Sequence, residues 1–194
     1  ANVSRLPASV KNPFEEFRHI SDRSDRQIPL DEILASHESV LARLESGYKR
    51  LVADEAGDGL WQPDKDSIVE IYTSAESIVG GIPCETGDIE AFCIHATQSD
   101  DPDFFMMGPL GLYLSALCNT SHSPEIHLNL TGPELRVPLL GYRLQEGHTL
   151  TIEGDLGDLI GISLDGGHLK ISGNVGRYLG AGMAAGRIDV SGDA

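Results

Sequence analysis

The chain has 194 residues, 40% hydrophobic and 23% charged, and its 14 basic and 30 acidic side chains give a formal net charge of −16. That balance disfavours nucleic-acid binding, whose affinity comes mainly from Lys and Arg neutralising phosphates, and no apolar run reaches the roughly 18 residues of a membrane-spanning helix. Three cysteines, Cys84, Cys93 and Cys118, are odd in number and form no CxxC pair, which excludes a complete disulfide framework and points to reduced thiols in a cytoplasmic protein.

Residues 1–27 are polar, contain Pro7 and Pro13, and show no signal-peptide pattern. They read as an arm with at most a short helix near 14–20. Residues 28–124 read as a mixed α+β domain. A helix is expected over 31–52, where Ile33, Leu34, His37, Val40, Leu41, Leu44, Tyr48 and Leu51 recur at spacings of three and four. Gly47 should weaken its middle by about 1 kcal/mol relative to Ala, and Gly57-Asp58-Gly59 should end it. Alternation over 67–73 and the run Ile89-Glu90-Ala91-Phe92-Cys93-Ile94-His95 within 88–97 predict two strands. A short helix is expected over 110–118 and a strand over 125–130.

From 125 onward the chain repeats itself. Gly154-Asp155-Leu156-Gly157 with Gly161 is followed 19 residues later by Gly173-Asn174-Val175-Gly176 with Gly180, and after 19 more by Gly192-Asp193. A fixed short period marks a solenoid, whose coils bury their apolar faces only by stacking. The strands predicted are 149–153, 168–172 and 187–191, with Leu150, Ile152, Leu169, Ile171, Ile188 and Val190 inward. A second segment per repeat, 158–164 and then 177–183, is expected to run alongside. Asp155, Asn174 and Asp193 share one corner and should stack as a ladder of acceptors. Around Gly132, Pro133, Pro138 and Gly141 the spacing loosens, which suggests a degenerate first coil serving as a cap.

The string Gly154-Asp155-x-Gly157-x-x-x-Gly161 and its successor at 173–180 resemble the GxxGxxxG repeat of one known domain. That domain ends the large subunit of glutamate synthase and forms the body of one of the subunits of formylmethanofuran dehydrogenase. Ile152-Glu153-Gly154-Asp155, Tyr178-Leu179-Gly180-Ala181-Gly182-Met183 and the pair Gly166-Gly167 are similar to it too. The resemblance covers roughly 126–194 and implies a short right-handed single-stranded parallel β-helix following the α+β domain. It also implies a non-catalytic role, because in those relatives the domain joins other domains or subunits. Gly154, Asp155, Gly157, Gly161, Gly173, Asn174, Gly176, Gly180, Gly192 and Asp193 are then structural turn residues.

Chemistry is sparse. Cys118, His122 and His127 make a zinc site arithmetically possible, but Pro124 keeps the histidines off one helical face, and no metal or other cofactor is expected. Cys84 and Cys93 flank an acidic turn (Glu85, Asp88, Glu90), a poor setting for a nucleophilic thiolate. His148 and His168 lie 20 apart in a 19-residue period and so occupy non-equivalent positions. The alternative to a structural role is an enzyme or small-ligand site within 28–124, near Cys93, His95, Asp88, Trp61 or 104–107. About two and a half coils should leave an open end for a second copy, a partner enzyme subunit or the helix at 31–52 to cover.

Overall fold

Four helices and four strands make up the described residues, 30–55, 64–98, 109–132 and 136–194, of the computed structural model. Helix α1 is Leu30–Glu55, α2 Lys65–Val79, α3 Thr86–Thr97 and α4 Leu110–Thr120. Strands β1 (Glu125–Asn129), β2 (Thr149–Glu153), β3 (Asp165–Ser172) and β4 (Ala185–Val190) follow. By contacts the chain divides into two compact units, Ala1–Ala35 and Ser36–Ala194. Of the first, the described residues, 30–35, are helical; all that follows concerns the second. The expected N-terminal arm and the turn at 57–59 lie outside the described residues.

The mixed α+β reading of 28–124 is corrected: every regular element among its described residues is a helix. The segment expected as a strand over 67–73 belongs to α2, which buries Ile68, Ile71, Tyr72, Ala75 and Val79. That is one helical stripe at spacings of three and four. Asp64 caps this helix, accepting the Asp66 and Ser67 N–H groups at 3.0 Å each. The segment expected as a strand over 88–97 belongs to α3, which buries Ile89, Phe92, Cys93 and Ala96. At its start the Asp88 carboxylate accepts the Glu85 N–H at 2.8 Å. The β-branched and aromatic residues of both segments imitate a strand only over a window shorter than two turns.

The four strands form one parallel sheet in sequence order. Thr149 pairs with His168 and Leu150 with Leu169, and His168 in turn pairs with Arg187, so the register carries the 19-residue offset. The β-helix expected over 125–194 is corrected. The described residues contain this single sheet within an α+β arrangement, and the second segments, 158–164 and 177–183, are turns rather than strands. The cause is backbone chirality. Leu159, Gly161 and Ser163 have φ of 63°, 63° and 55°, and Tyr178, Gly180 and Gly182 have 64°, 63° and 69°. Alternating left-handed residues cannot build a second extended ladder.

One buried cluster joins the helices to the inner face of the sheet. Within it Tyr48 packs edge to face on Phe92 and on Tyr113, the latter with centroids 5.4 Å apart, and Phe92 and Tyr113 are tilted against each other. The Tyr113 hydroxyl donates to the Leu44 carbonyl at 2.9 Å, and a Cβ at Gly47 would lie 2.7 Å from that hydroxyl oxygen. The glycine that weakens α1 is therefore what lets α4 approach.

Helix α4 fastens the start of the repeats. A side chain at Gly111 would run into the Pro138 carbonyl. Ser115 donates to Gly111 O at 2.6 Å, lies 3.3 Å from Leu139 O and accepts Tyr142 N–H at 3.1 Å. Asn119 donates to the Tyr72 hydroxyl at 2.7 Å and to the Tyr142 and Arg143 carbonyls at 3.2 Å, and accepts Gln145 N–H at 3.3 Å. Asn119→Ala should cost about 1–3 kcal/mol, because it strands partners of the 142–145 turn. Urea unfolding checks this: the midpoint should fall while the slope is kept.

Candidate functional site

Glycine columns set the spacing of the repeats. At Gly173 an added Cβ would strike the Gly154 carbonyl, at Gly192 the Gly173 carbonyl, and at Gly154 the Leu130 carbonyl. Gly157 and Gly176 form a second such column: a Cβ there would lie 2.7 Å from Arg136 O and 2.8 Å from Gly157 O, respectively. Gly161 and Gly180 occupy the left-handed position described above. Beside the first column run the corner residues. Asn174 donates its backbone N–H to the Asp155 carboxylate at 2.8 Å and its side-chain amide to the same oxygen at 3.0 Å. Asp193 donates its N–H to the Asn174 side-chain carbonyl at 2.9 Å. The corner is thus a ladder in which the Asp155 and Asn174 side chains each satisfy the backbone of the layer that follows, so two of the three expected acceptors are used. Asp158 repeats the device one corner on, accepting Arg177 N–H at 2.8 Å. The sequence reading missed the Asp158 contact, because Asp158 is followed 19 residues on by Arg177, which continues no Asx pattern.

The two edges of the sheet differ. Helix α3 packs along β1, and the Cys93 thiol lies 3.9 Å from the Asn129 carbonyl. Along β4, no described element pairs with the outer side. Ser191 donates its N–H to Ile171 O at 2.9 Å, so alternation turns the N–H and C=O groups of Ile188 and Val190 away from β3. Beside that edge Tyr178 is 68% exposed and Met183 36%. On the solvent face, Arg187 donates to both oxygens of Asp189 at 2.8 and 2.9 Å, and His168 lies 2.8 Å from the same carboxylate. These contacts hold the Asp189 carboxyl below the usual range, Arg187 contributing most. Opposite charges two apart on one strand were a readable signal that the sequence reading passed over.

The residues singled out for chemistry do not converge. Cys118 is fully buried in α4, while His122 and His127 are exposed, and among the described residues no group of three His, Cys, Asp or Glu is placed to hold a metal. Burial pushes the Cys93 thiol up to about 12 and raises Cys84 as well, with the Asp88 charge adding to the latter. His95 faces Glu45 at 3.4 Å. Trp61 and residues 104–107 lie outside the described residues. His148 approaches Ser121 O at 3.2 Å through one ring nitrogen, and its other ring nitrogen is buried without a partner among the described residues. A groove of about 150 Å³ lies between α3 and the sheet, beside Glu90, Ile94 and His127. A wider one of about 510 Å³ lies by Cys84, Glu85, Ser121, His122 and Ser123.

Between α1 and α3 the helical part holds a titratable pair, His37 and Asp88, with Nδ1 and Oδ1 2.6 Å apart. The hydrogen bond to Asp88, then its charge, raises the His37 pKa above its ordinary 6.5. Asp88 is buried and also caps α3, so the pair reads as a tie between α1 and α3. Since the folded pKa is the higher, the stabilisation is complete below about pH 6.5 and is lost as pH rises through the folded value. His37 is half exposed, so the effect is small. Stability measured across neutral pH should show a falling step that His37→Gln removes. For the columns, Gly173→Val should cost more than about 2 kcal/mol, since a branched side chain meets fixed backbone, while Ala194→Val should leave the thermal midpoint unchanged.

No family model, curated protein or solved structure matches the chain.

Proposed function

We propose that this chain is a non-catalytic structural module whose task is assembly, offering the β4 edge of its sheet to a second copy or to a partner enzyme subunit. The observation that carries this reading is the asymmetry of the sheet: α3 covers the β1 edge, and no described element covers β4. An uncovered strand edge with apolar side chains beside it is a pairing site unless something blocks it. The GxxGxxxG spacing adds support, since the domains it resembles in glutamate synthase and formylmethanofuran dehydrogenase join other domains or subunits. Three free thiols suit a reducing, cytoplasmic setting. No described helix is long and apolar enough to cross a membrane.

The enzymatic alternative draws less support. Its thiols are held protonated by burial, and the carboxylate of its His37–Asp88 pair is engaged in capping α3. Hydrogen exchange tests the assembly reading. In the isolated chain the Ile188 and Val190 amides should exchange quickly and the Asp189 amide, directed at β3, slowly. In the assembled state all three should be protected. Protection confined to other elements, or no assembled state in the native host, refutes the role.

A further inference from the structure

We infer that the occupant of the β4 edge is a second copy of this chain, paired antiparallel about a two-fold axis through Ile188. The inference rests on the assembly reading above and specifies its partner and register.

Three observations lead to it. The first is that head-to-tail stacking is blocked: it would need the β1 edge of the next copy, and α3 packs along that strand. An edge that cannot pair with its opposite can still pair with itself, which requires a two-fold. The second is charge distribution. The chain carries −16 overall, yet residues 165–194 hold three basic side chains (Lys170, Arg177, Arg187) and three acidic ones (Asp165, Asp189, Asp193). The repulsion that opposes self-association therefore arises upstream, and the segment that carries β4 is neutral.

The third observation fixes the register. Ile188 and Val190 direct their backbone groups outward, so outward residues must face outward residues across an antiparallel pair. Centring the pair on Arg187 sets Arg187 against its copy, and centring it on Asp189 sets Asp189 against its copy. Centring on Val190 sets Asp189 opposite the partner's Ser191 and leaves both charges unmatched within β4, whereas centring on Ile188 sets Arg187 opposite the partner's Asp189, twice. These two sit at non-hydrogen-bonded positions, where Cα atoms approach to about 4.5 Å and side chains meet most closely. Gly186, with φ of 100°, bends the strand start, which keeps the new ladder short. The rest of the contact falls to the apolar end, where Tyr178 and Met183 are exposed and Ile188, Val190 and Leu179 are partly so.

Sedimentation of the full chain over a concentration series supplies the test. The wild type should dimerise below about 0.1 mM. Arg187→Asp and Asp189→Arg should each weaken the dimer by on the order of tenfold, because each sets like charges opposite at two places. The double swap Arg187→Asp with Asp189→Arg should restore it, since both the internal pair and the cross-pair are rebuilt. A second readout covers poor folding of the single variants: an equimolar mixture of Arg187→Cys and Asp189→Cys chains should oxidise to a mixed disulfide, and neither variant alone should. A dimer indifferent to these changes, or a swap that fails to rescue, overturns this register and leaves assembly standing. A wild type that stays monomeric overturns the second copy as partner; if its β4 amides become protected with host protein, the assembly reading survives alone.

Discussion

Each stacked turn holds alternate residues in the left-handed region, and hydrogen bonds from the neighbouring layer keep them there. Leu139, Arg143, Leu159, Ser163 and Tyr178 all have φ between 52° and 64° without being glycine. Each such residue costs on the order of 1–2 kcal/mol in isolation. Leu139 N–H donates to Asp158 O at 3.1 Å, Leu159 N–H to Arg177 O at 2.8 Å and Ser163 N–H to Ala181 O at 2.9 Å. In the other direction Gly161 N–H reaches Leu140 O and Gly180 N–H reaches Ile160 O, both at 2.8 Å. No layer is favourable by itself, so order must be imposed at one end and passed along.

Helix α4 is placed to impose it. Ser115 and Asn119, one helical turn apart, take up the Tyr142 and Gln145 amides and the Tyr142 and Arg143 carbonyls. Those are the backbone groups of the first left-handed turn. The helix is positioned in turn by Gly111 against Pro138 and by Tyr113 in the aromatic cluster. The helical part is therefore a template for the first layer, and the glycine columns set how closely each later layer follows.

What the sequence disclosed, and what it hid, follows from range. The helix of α1, the strands and the 19-residue offset were legible because each is written as a period in apolar residues. So was the corner shared by Asp155, Asn174 and Asp193, since side chains that bond the next layer must recur with the layer. Helices α2 and α3 were misread because Ile68-Val69-Glu70-Ile71-Tyr72 alternates as well as it spirals, and only Ala75 and Val79 further on decide between the two. The second segments were misread for a deeper reason. Leu159 and Tyr178 have no local preference for positive φ, and the neighbouring layers that put them there are not visible in a single stretch of chain. Gly47 looked like a flaw in a helix, and its use appears only when Tyr113 arrives from 66 residues away.

The same logic sets the turn at 177–183 apart from the other described layers. The turn at 177–183 is braced by the layer beneath it, through Gly180 to Ile160 and through the carbonyls of Arg177 and Ala181. No described residue offers it a layer above, so among the described residues Tyr178 is braced from one side. Among β1 to β4, the central strands bury their inward residues fully, whereas Ile188 and Val190 remain partly exposed. Among the described residues, then, β4 and the turn at 177–183 lack on one side the neighbour that every inner strand and turn receives on both.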